Sequence, residues 1–268
     1  DTDKHQFCQN VEDIKRELVL GNAYQVVLSH KVEFSGVNNP LDTYRELKAI
    51  NSSAYQFLYS GSDCTIVGTS PETLLSIRET GHCRTAFMRP VAGTRALGTA
   101  PELACDIKEI SEHAMLVDHA RNDLCIIGEP GTTKVNSLAA IEKLPSIAHL
   151  ISEIQCEVRK NIDSISALLA VSPICTLVGT PRISATRIYK NLESSPRGYF
   201  GGGIFIISPK GELDSTVLIR SAFFSQGKVS VYAGAGIVID SVPEPEYEET
   251  NLKMNAIVSV LTNKDYER

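Results

Sequence analysis

Ala233-Gly-Ala-Gly-Ile-Val-Ile-Asp-Ser-Val-Pro-Glu-Pro-Glu-Tyr-Glu-Glu-Thr-Asn-Leu-Lys253 reads as a glycine-rich strand end turning into a helix loaded with carboxylates. If the helix starts near Pro245, then Glu246, Glu249 and Lys253 fall at i, i+3 and i+7 and share one face. A second acidic pair lies upstream in Lys108-Glu-Ile-Ser-Glu-His113, where Ile107, Ile110, Ala114, Leu116 and Val117 are compatible with a long helix and Glu109 and Glu112 again stand three apart. Four carboxylates on two helices would repel one another if brought together, and a hard divalent cation relieves that; magnesium suits an all-oxygen donor set best. Taken alone, each acidic pair is equally a solvated helix face, and Ala233 to Gly236 equally a tight strand-to-turn passage with no ligand.

Composition narrows the classes. The chain has 268 residues, 43 % of them hydrophobic, a net charge of −6 and no dense Lys/Arg cluster. A globular core is expected and nucleic acid is an unlikely partner. The longest apolar stretches, such as Ser164 to Val171 and Gly201 to Ile207, fall well short of the roughly 18–20 residues a membrane span needs. No signal peptide is visible. The cysteines at 8, 64, 83, 105, 125, 156 and 175 have no C-x-x-C spacing and an odd count, so reduced thiols and a cytoplasmic location are expected rather than a disulfide framework or zinc site. The first residue is Asp1 rather than Met, so the chain is expected to be a fragment or processed part of something longer.

Local patterns predict mixed α and β structure. Asn10 reads as the N-cap of a helix over Val11 to Val19 that ends at Gly21, followed by a strand over Tyr24 to Phe34. Leu41 to Ile50 reads as helix, and Tyr55 to Ser60, Cys64 to Val67 and Thr73 to Arg78 as short strands. Helical patterns are expected over Glu102 to Ile127 and again over Ile141 to Leu169; strands return at Gly201 to Ser208, Glu212 to Phe224 and Val229 to Ala233. With no repeat and no low-complexity linker, a single compact unit over residues 1–268 is expected.

Several motifs together resemble the chorismate-utilising enzymes, which include anthranilate synthase component I, aminodeoxychorismate synthase component I, and the isochorismate and salicylate synthases. The blocks are Tyr24-Gln-Val-Val-Leu-Ser29, Thr69-Ser-Pro-Glu72, Pro90-Val-Ala-Gly-Thr-Arg95, Glu112-His-Ala-Met-Leu-Val-Asp-His-Ala-Arg-Asn-Asp123 and Ser146-Ile-Ala-His149. Thr176-Leu-Val-Gly-Thr-Pro181, Arg197-Gly-Tyr-Phe-Gly-Gly202, Leu213-Asp-Ser215 with Ile219-Arg220, and the C-terminal run complete them in order. The resemblance implies an α+β fold of two stacked, mainly antiparallel sheets with outer helices, and a catalytic domain whose upstream N-terminal half is absent. It also implies that both acidic helices surround one magnesium ion.

Carried over residue by residue, the resemblance makes Glu112 and Glu249 direct magnesium ligands, with Glu109 and Glu246 holding metal-bound water. Arg220 resembles the arginine that binds the enolpyruvyl carboxylate of chorismate, Lys253 adds charge near the metal, and Gly236 offers its backbone N–H. Gly93, Thr94 and Thr176 line the pocket by the same comparison. A dianionic substrate suits a cation, an arginine fork and close glycine donors. Glu72 corresponds to the general acid for the departing C4 hydroxyl, which requires it protonated and its pKa raised. His149 corresponds to the histidine associated with pyruvate loss, while His113 and His119 are read as structural.

Position 25 bears on the nucleophile. Water-using members carry a lysine base there, whereas Gln25 cannot activate water, so ammonia is the expected attacker at C2. Ala92 cannot form the covalent lysine adduct of the aminodeoxychorismate branch. The implied function is therefore amination of chorismate with ammonia and elimination of pyruvate to anthranilate, with ammonia supplied by a glutamine amidotransferase partner. Phe200 departs from the tyrosine usual in anthranilate synthases, the segment between Thr94 and Glu109 is shorter than in many of them, and the upstream half is absent; these leave open amination without elimination and a non-catalytic fragment, with an aminodeoxychorismate synthase as a further alternative.

Overall fold

A computed structural model describes residues 3–36, 39–51, 53–143 and 147–262 of the chain. It divides into two compact units, and the chain passes between them at Pro71/Glu72, Pro173/Ile174, Gly202/Gly203 and Val217/Leu218. Each passage joins neighbouring residues directly, which is why the sequence contains no linker to mark them.

The first unit contains α1 (Lys4–Val19), β1 (Gln25–Ser35), α2 (Pro40–Ile50), β2 (Tyr55–Ser60) and β3 (Thr65–Ser70). It resumes with α5 (Cys175–Val178), β9 (Gly179–Thr180) and α6 (Arg182–Leu192), then β12 (Ser221–Ser225), β13 (Lys228–Ile237) and α7 (Pro243–Thr262). Its six strands form a sheet in the order β2-β3-β12-β13-β1-β9. Alternate residues of β1 and β13 point to one face, where Val26, Leu28, Ala235 and Ile237 pack with Phe7, Val11 and Ile14 of α1 and with Ala185 and Ile188 of α6. Alongside, Val67, Ala222, Val229 and Val231 pack with Leu47 of α2 and with Met254, Ile257 and Val260 of α7. Helices thus cover one face of this sheet.

The second unit contains β4 (Thr73–Thr80), β5 (Cys83–Met88), β6 (Val91–Ala96), a 3-10 helix (Leu97–Ala104), α3 (Ile107–Ile127), β7 (Lys134–Lys143), β8 (Ile147–Glu157) and α4 (Ser164–Val171). Strands β10 (Gly203–Ile207) and β11 (Leu213–Val217) complete it. The order is β10-β11-β4-β5-β8-β6, with β7 also on β8. Every pairing among the described strands is antiparallel. The expected mixed α and β class with two mainly antiparallel sheets holds. Among the described residues, no helix is long and apolar enough to cross a membrane.

Three local expectations fail for identifiable reasons. Asn10 is not an N-cap: α1 starts two turns earlier, capped by Asp3, whose carboxylate accepts from the Gln6 N–H at 3.3 Å, and Asn10 is buried mid-helix donating to the Leu192 carbonyl. Of Ile141 to Leu169, only Ser164 to Leu169 is helical among the described residues, as part of α4. Ala148, Leu150, Ser152, Ile154 and Cys156 are buried at a period of two, so β8 is a strand whose apolar residues also happened to fit a helical spacing. Glu212 to Phe224 is two strands in different sheets, broken at Leu218 to Arg220, where Arg220 adopts a φ of 50°.

Two features set the geometry of β1. Gly179 has a φ of +104°, and a Cβ there would collide with the Gln25 carbonyl and the Val26 Cα. Gly179→Ala is therefore expected to cost more than about 3 kcal/mol, read as a lowered midpoint in chemical denaturation. At mid-strand, His30 is 1 % exposed, its ring stacked on Tyr247 at 4.7 Å and Nδ1 2.8 Å from Thr250 Oγ1. That hydroxyl donates to the Tyr247 carbonyl at 2.6 Å, so Nδ1–H of His30 donates to the hydroxyl oxygen.

Burial lowers the His30 pKa from 6.5 to about 4. A depressed folded pKa contributes stability that is fully present above the unfolded value and is lost as pH falls toward the folded one. Between pH 6.5 and 4 the loss should approach about 3 kcal/mol. His30→Leu should flatten the stability–pH profile in that window relative to the native chain; parallel profiles would count against it.

Candidate active site

Each unit carries its own set of the predicted residues. In the first unit, β1 places Gln25 beside Gly236 of β13, with Gln25 Nε2 2.6 Å from where a Gly236 Cβ would stand. Only glycine leaves room for that amide. Gly234 presents its carbonyl to Lys253 Nζ at 2.8 Å, and Lys253 Nζ lies 2.6 Å from Glu249 Oε1 one turn back on α7. Glu246 is half-buried one turn earlier on α7. The helix starts at Pro243, and the predicted i, i+3, i+7 spacing holds.

Arg220 is half-buried at the break between β11 and β12, where its carbonyl accepts from the Thr69 N–H at 3.1 Å. A left-handed arginine costs about 1 kcal/mol or more, and such outliers persist where a site requires the side chain in one place. Thr176 lies in α5, half-buried. Phe200 is 5 % exposed and stacked on Tyr232 at 5.4 Å with an interplanar angle of 12°. Tyr199 points elsewhere, stacking on Phe223 at 6.4 Å.

In the second unit, Glu72 is half-buried at the start of β4, and its carbonyl accepts from Val217 N–H at 3.1 Å and Thr216 Oγ1 at 2.7 Å. Strand β6 bulges between Ala92 and Thr94, with Thr94 opposite His149 of β8. Gly93 sits in the bulge at φ +60°, and a Cβ there would meet Glu109 Oε2 at 2.9 Å and Leu103. The bulge therefore brings Gly93 under a carboxylate of α3. His149 Nδ1 lies 3.0 Å from the Gly93 carbonyl. A carbonyl only accepts, so Nδ1 carries the proton and in the neutral ring Nε2 keeps its lone pair. Glu109 and Glu112 are both half-buried on α3. His113 is buried, Nε2 2.7 Å from Ser152 Oγ, and burial lowers its pKa, in keeping with a structural role.

Sequence reasoning missed two ion-paired groups that shape these sets. Arg95 reaches Asp106 at 2.9 Å and Glu109 at 3.6 Å, while Asp106 accepts from the Glu109 N–H at 3.2 Å. Arg95 thereby ties β6 to the start of α3; its signal was its place beside Thr94 in the quoted block. Glu193 and Arg197 form an i, i+4 pair at 2.5 Å with side chains 8 % and 9 % exposed.

The carboxylates provide oxygen donors only, which suits a hard divalent ion and excludes a thiolate or imidazole site. Each pair has a basic neighbour: Arg95 at Glu109 and Lys253 at Glu249. Among the described residues, no group of three or more His, Cys, Asp or Glu side chains is gathered as a metal cluster.

The sequence pattern of the chorismate binding enzyme family matches residues 1–259. The chain belongs to that family. The chain is 39 % identical over 266 residues to anthranilate synthase component 1 of Acetivibrio thermocellus, covering 96 % of this chain and 53 % of that protein. It is 40 % identical to the component 1 of Bacillus caldotenax, covering 97 % and 52 %. The chain thus spans about half the length of the curated relatives it matches. Among solved structures, anthranilate synthase component I from Streptococcus pneumoniae superposes with a TM-score of 0.88 at 33 % identity, covering 96 % of this chain and 58 % of that one. The menaquinone-specific isochorismate synthase of Escherichia coli has the same fold, with a TM-score of 0.86 at 24 % identity over 97 % of this chain and 61 % of that one.

Proposed function

We propose that this chain aminates chorismate at C2 with ammonia and then eliminates pyruvate, yielding anthranilate. The observation that carries this reading is the similarity to component 1 of anthranilate synthases along nearly the whole chain. Gln25 agrees with it: an amide has no lone pair basic enough to activate water, whereas ammonia needs no activation.

Magnesium, held by Glu109, Glu112, Glu246 and Glu249, would supply positive charge to the ring carboxylate of chorismate. Arg220 binds the enolpyruvyl carboxylate with its fork, and Lys253 adds charge for the same dianion. By the family resemblance Gly236, Gly93, Thr94 and Thr176 would be substrate-binding positions, and at Gly236 and Gly93 the space for a Cβ is already taken by a neighbouring side chain. Glu72 gives its proton to the C4 hydroxyl, which leaves as water while ammonia bonds to C2 and loses a proton. Aromatisation then requires loss of the C2 hydrogen as the enolpyruvyl C–O bond breaks. The Nε2 lone pair of His149 takes that proton; the Nδ1–H bond to the Gly93 carbonyl supports this tautomer. Ammonia comes from a glutamine amidotransferase partner, and ammonium salts should replace it.

A second reading, amination without elimination, rests on Phe200, whose ring carries no hydroxyl to hold a substrate carboxylate. Product partition in His149→Ala decides the roles. The first reading predicts continued chorismate consumption with an aminated, enolpyruvyl-bearing product and pyruvate release down by about 10²-fold or more. Unchanged pyruvate release would remove His149 from the mechanism, and native chain that aminates without any pyruvate would establish the second reading.

A further inference from the structure

The strand that carries Gln25 runs past the end of its outer neighbour. Strand β9 pairs with β1 only at Gln25 and Val26, so the next outward-facing groups of β1, the Val27 carbonyl and the Ser29 N–H, lie beyond its reach. Both are met by one ion pair. Arg197 Nη2 donates to the Val27 carbonyl at 2.6 Å, and Glu193 Oε1 accepts from the Ser29 N–H at 2.9 Å. In an antiparallel ladder these are groups that a continued partner strand would have bonded, at two successive hydrogen-bonded positions.

Arg197 also reaches two other parts of the chain beside the predicted set, and its guanidinium carbon stands 6.0 Å from the centroid of the Phe200 ring. Arg197 Nη1 donates to the Leu177 carbonyl at 2.7 Å, one residue beyond Thr176, and the Arg197 carbonyl accepts from the Phe200 N–H at 3.1 Å. Its Cζ lies 3.5 Å from the centroid of the Tyr189 ring, a further contact that restrains the fork.

We propose that the Glu193–Arg197 pair is a positioning device that takes the place of a strand at the edge of β1 and sets Gln25, Thr176 and Phe200 relative to one another. A lysine could reach one of these acceptors but not three in fixed directions. The kinetic part of this inference rests on the reading that Gln25 and Thr176 border the attack of ammonia on chorismate. The described hydrogen bonds of the pair go to Val27, Ser29 and Leu177 rather than to Arg220 or Lys253, which would anchor the substrate, so the device should act on turnover more than on substrate capture.

The test compares Arg197→Met, which can keep the contact with Tyr189 but has no donors, with Arg197→Lys, which returns one. Expected for Arg197→Met is a fall in ammonium-dependent kcat of about tenfold or more with chorismate KM within about threefold, and partial recovery of kcat in Arg197→Lys. Amide exchange at Gln25 to Ser29 should rise about tenfold while β12 and β13 are unchanged. A folded Arg197→Met chain with native kcat, or exchange that rises evenly across the sheet, would overturn the proposal. Should Arg197→Met not fold, the same split of kcat against KM is read in Arg197→Lys. If the native chain shows no turnover, the functional reading has failed by itself and exchange alone decides: local acceleration upholds the positioning device, and none overturns it.

Discussion

Replacing Glu249 by glutamine is expected to lower chorismate turnover by about 10²–10³-fold, because it removes a carboxylate charge where positive charge must be held against the substrate. The fold should survive. The Glu249 side chain is 53 % exposed and its ion pair is with Lys253 on the same helix, an arrangement that contributes only about 0.3–0.5 kcal/mol to helix stability. Thermal melting of the variant within a degree or two of the native chain, with activity lost, is the expected pattern. Full activity in Glu249→Gln would remove α7 from the site, and joint loss of fold and activity would assign the residue a structural role. Glu112→Gln on α3 should lose activity in the same way, with added magnesium failing to restore it.

The second large effect concerns Arg220. Its backbone is left-handed at φ 50°, so Arg220→Gly relieves strain while loosening the unfolded chain, and the two effects nearly offset. Stability should therefore stay within about 1 kcal/mol of native. Chorismate binding should weaken by about 10²-fold, since a guanidinium fork facing a carboxylate is lost with no replacement donor. Calorimetric titration measures one quantity and denaturant unfolding the other. Equal binding by native chain and variant would show that the strain at Arg220 serves the chain path between β11 and β12 rather than a ligand.

The acidic helices were the most legible part of the molecule. An i, i+3, i+7 spacing depends only on the helical repeat, and Glu246, Glu249 and Lys253 follow it once α7 exists. The carboxylates of α3 were legible for the same reason. What could not be read was anything set by strand register. His149 looked like part of a helix because Leu150, Ile151 and Ile154 fit a 3.6 spacing as well as a strand buried on one face. The bulge at Gly93 that turns its carbonyl toward His149 exists only in the pairing of β6 with β8. Arg197 shows a different limit. Its i, i+4 relation to Glu193 suggests an ordinary surface pair, and only the truncated β9 reveals why the pair is buried and what it bonds. Asn10 misled because an asparagine amide that caps a helix and one that reaches across to Leu192 are the same residue in the sequence. Gln25 and Phe200, by contrast, carried their meaning as bare identities, through chemistry each cannot perform.

The most direct measurement is product analysis after incubating the chain with chorismate, magnesium and ammonium at mildly alkaline pH, following anthranilate fluorescence and pyruvate release together. The account predicts anthranilate and pyruvate in equal amounts, and both abolished by chelating the metal. A folded chain that leaves chorismate unconsumed under these conditions would contradict it.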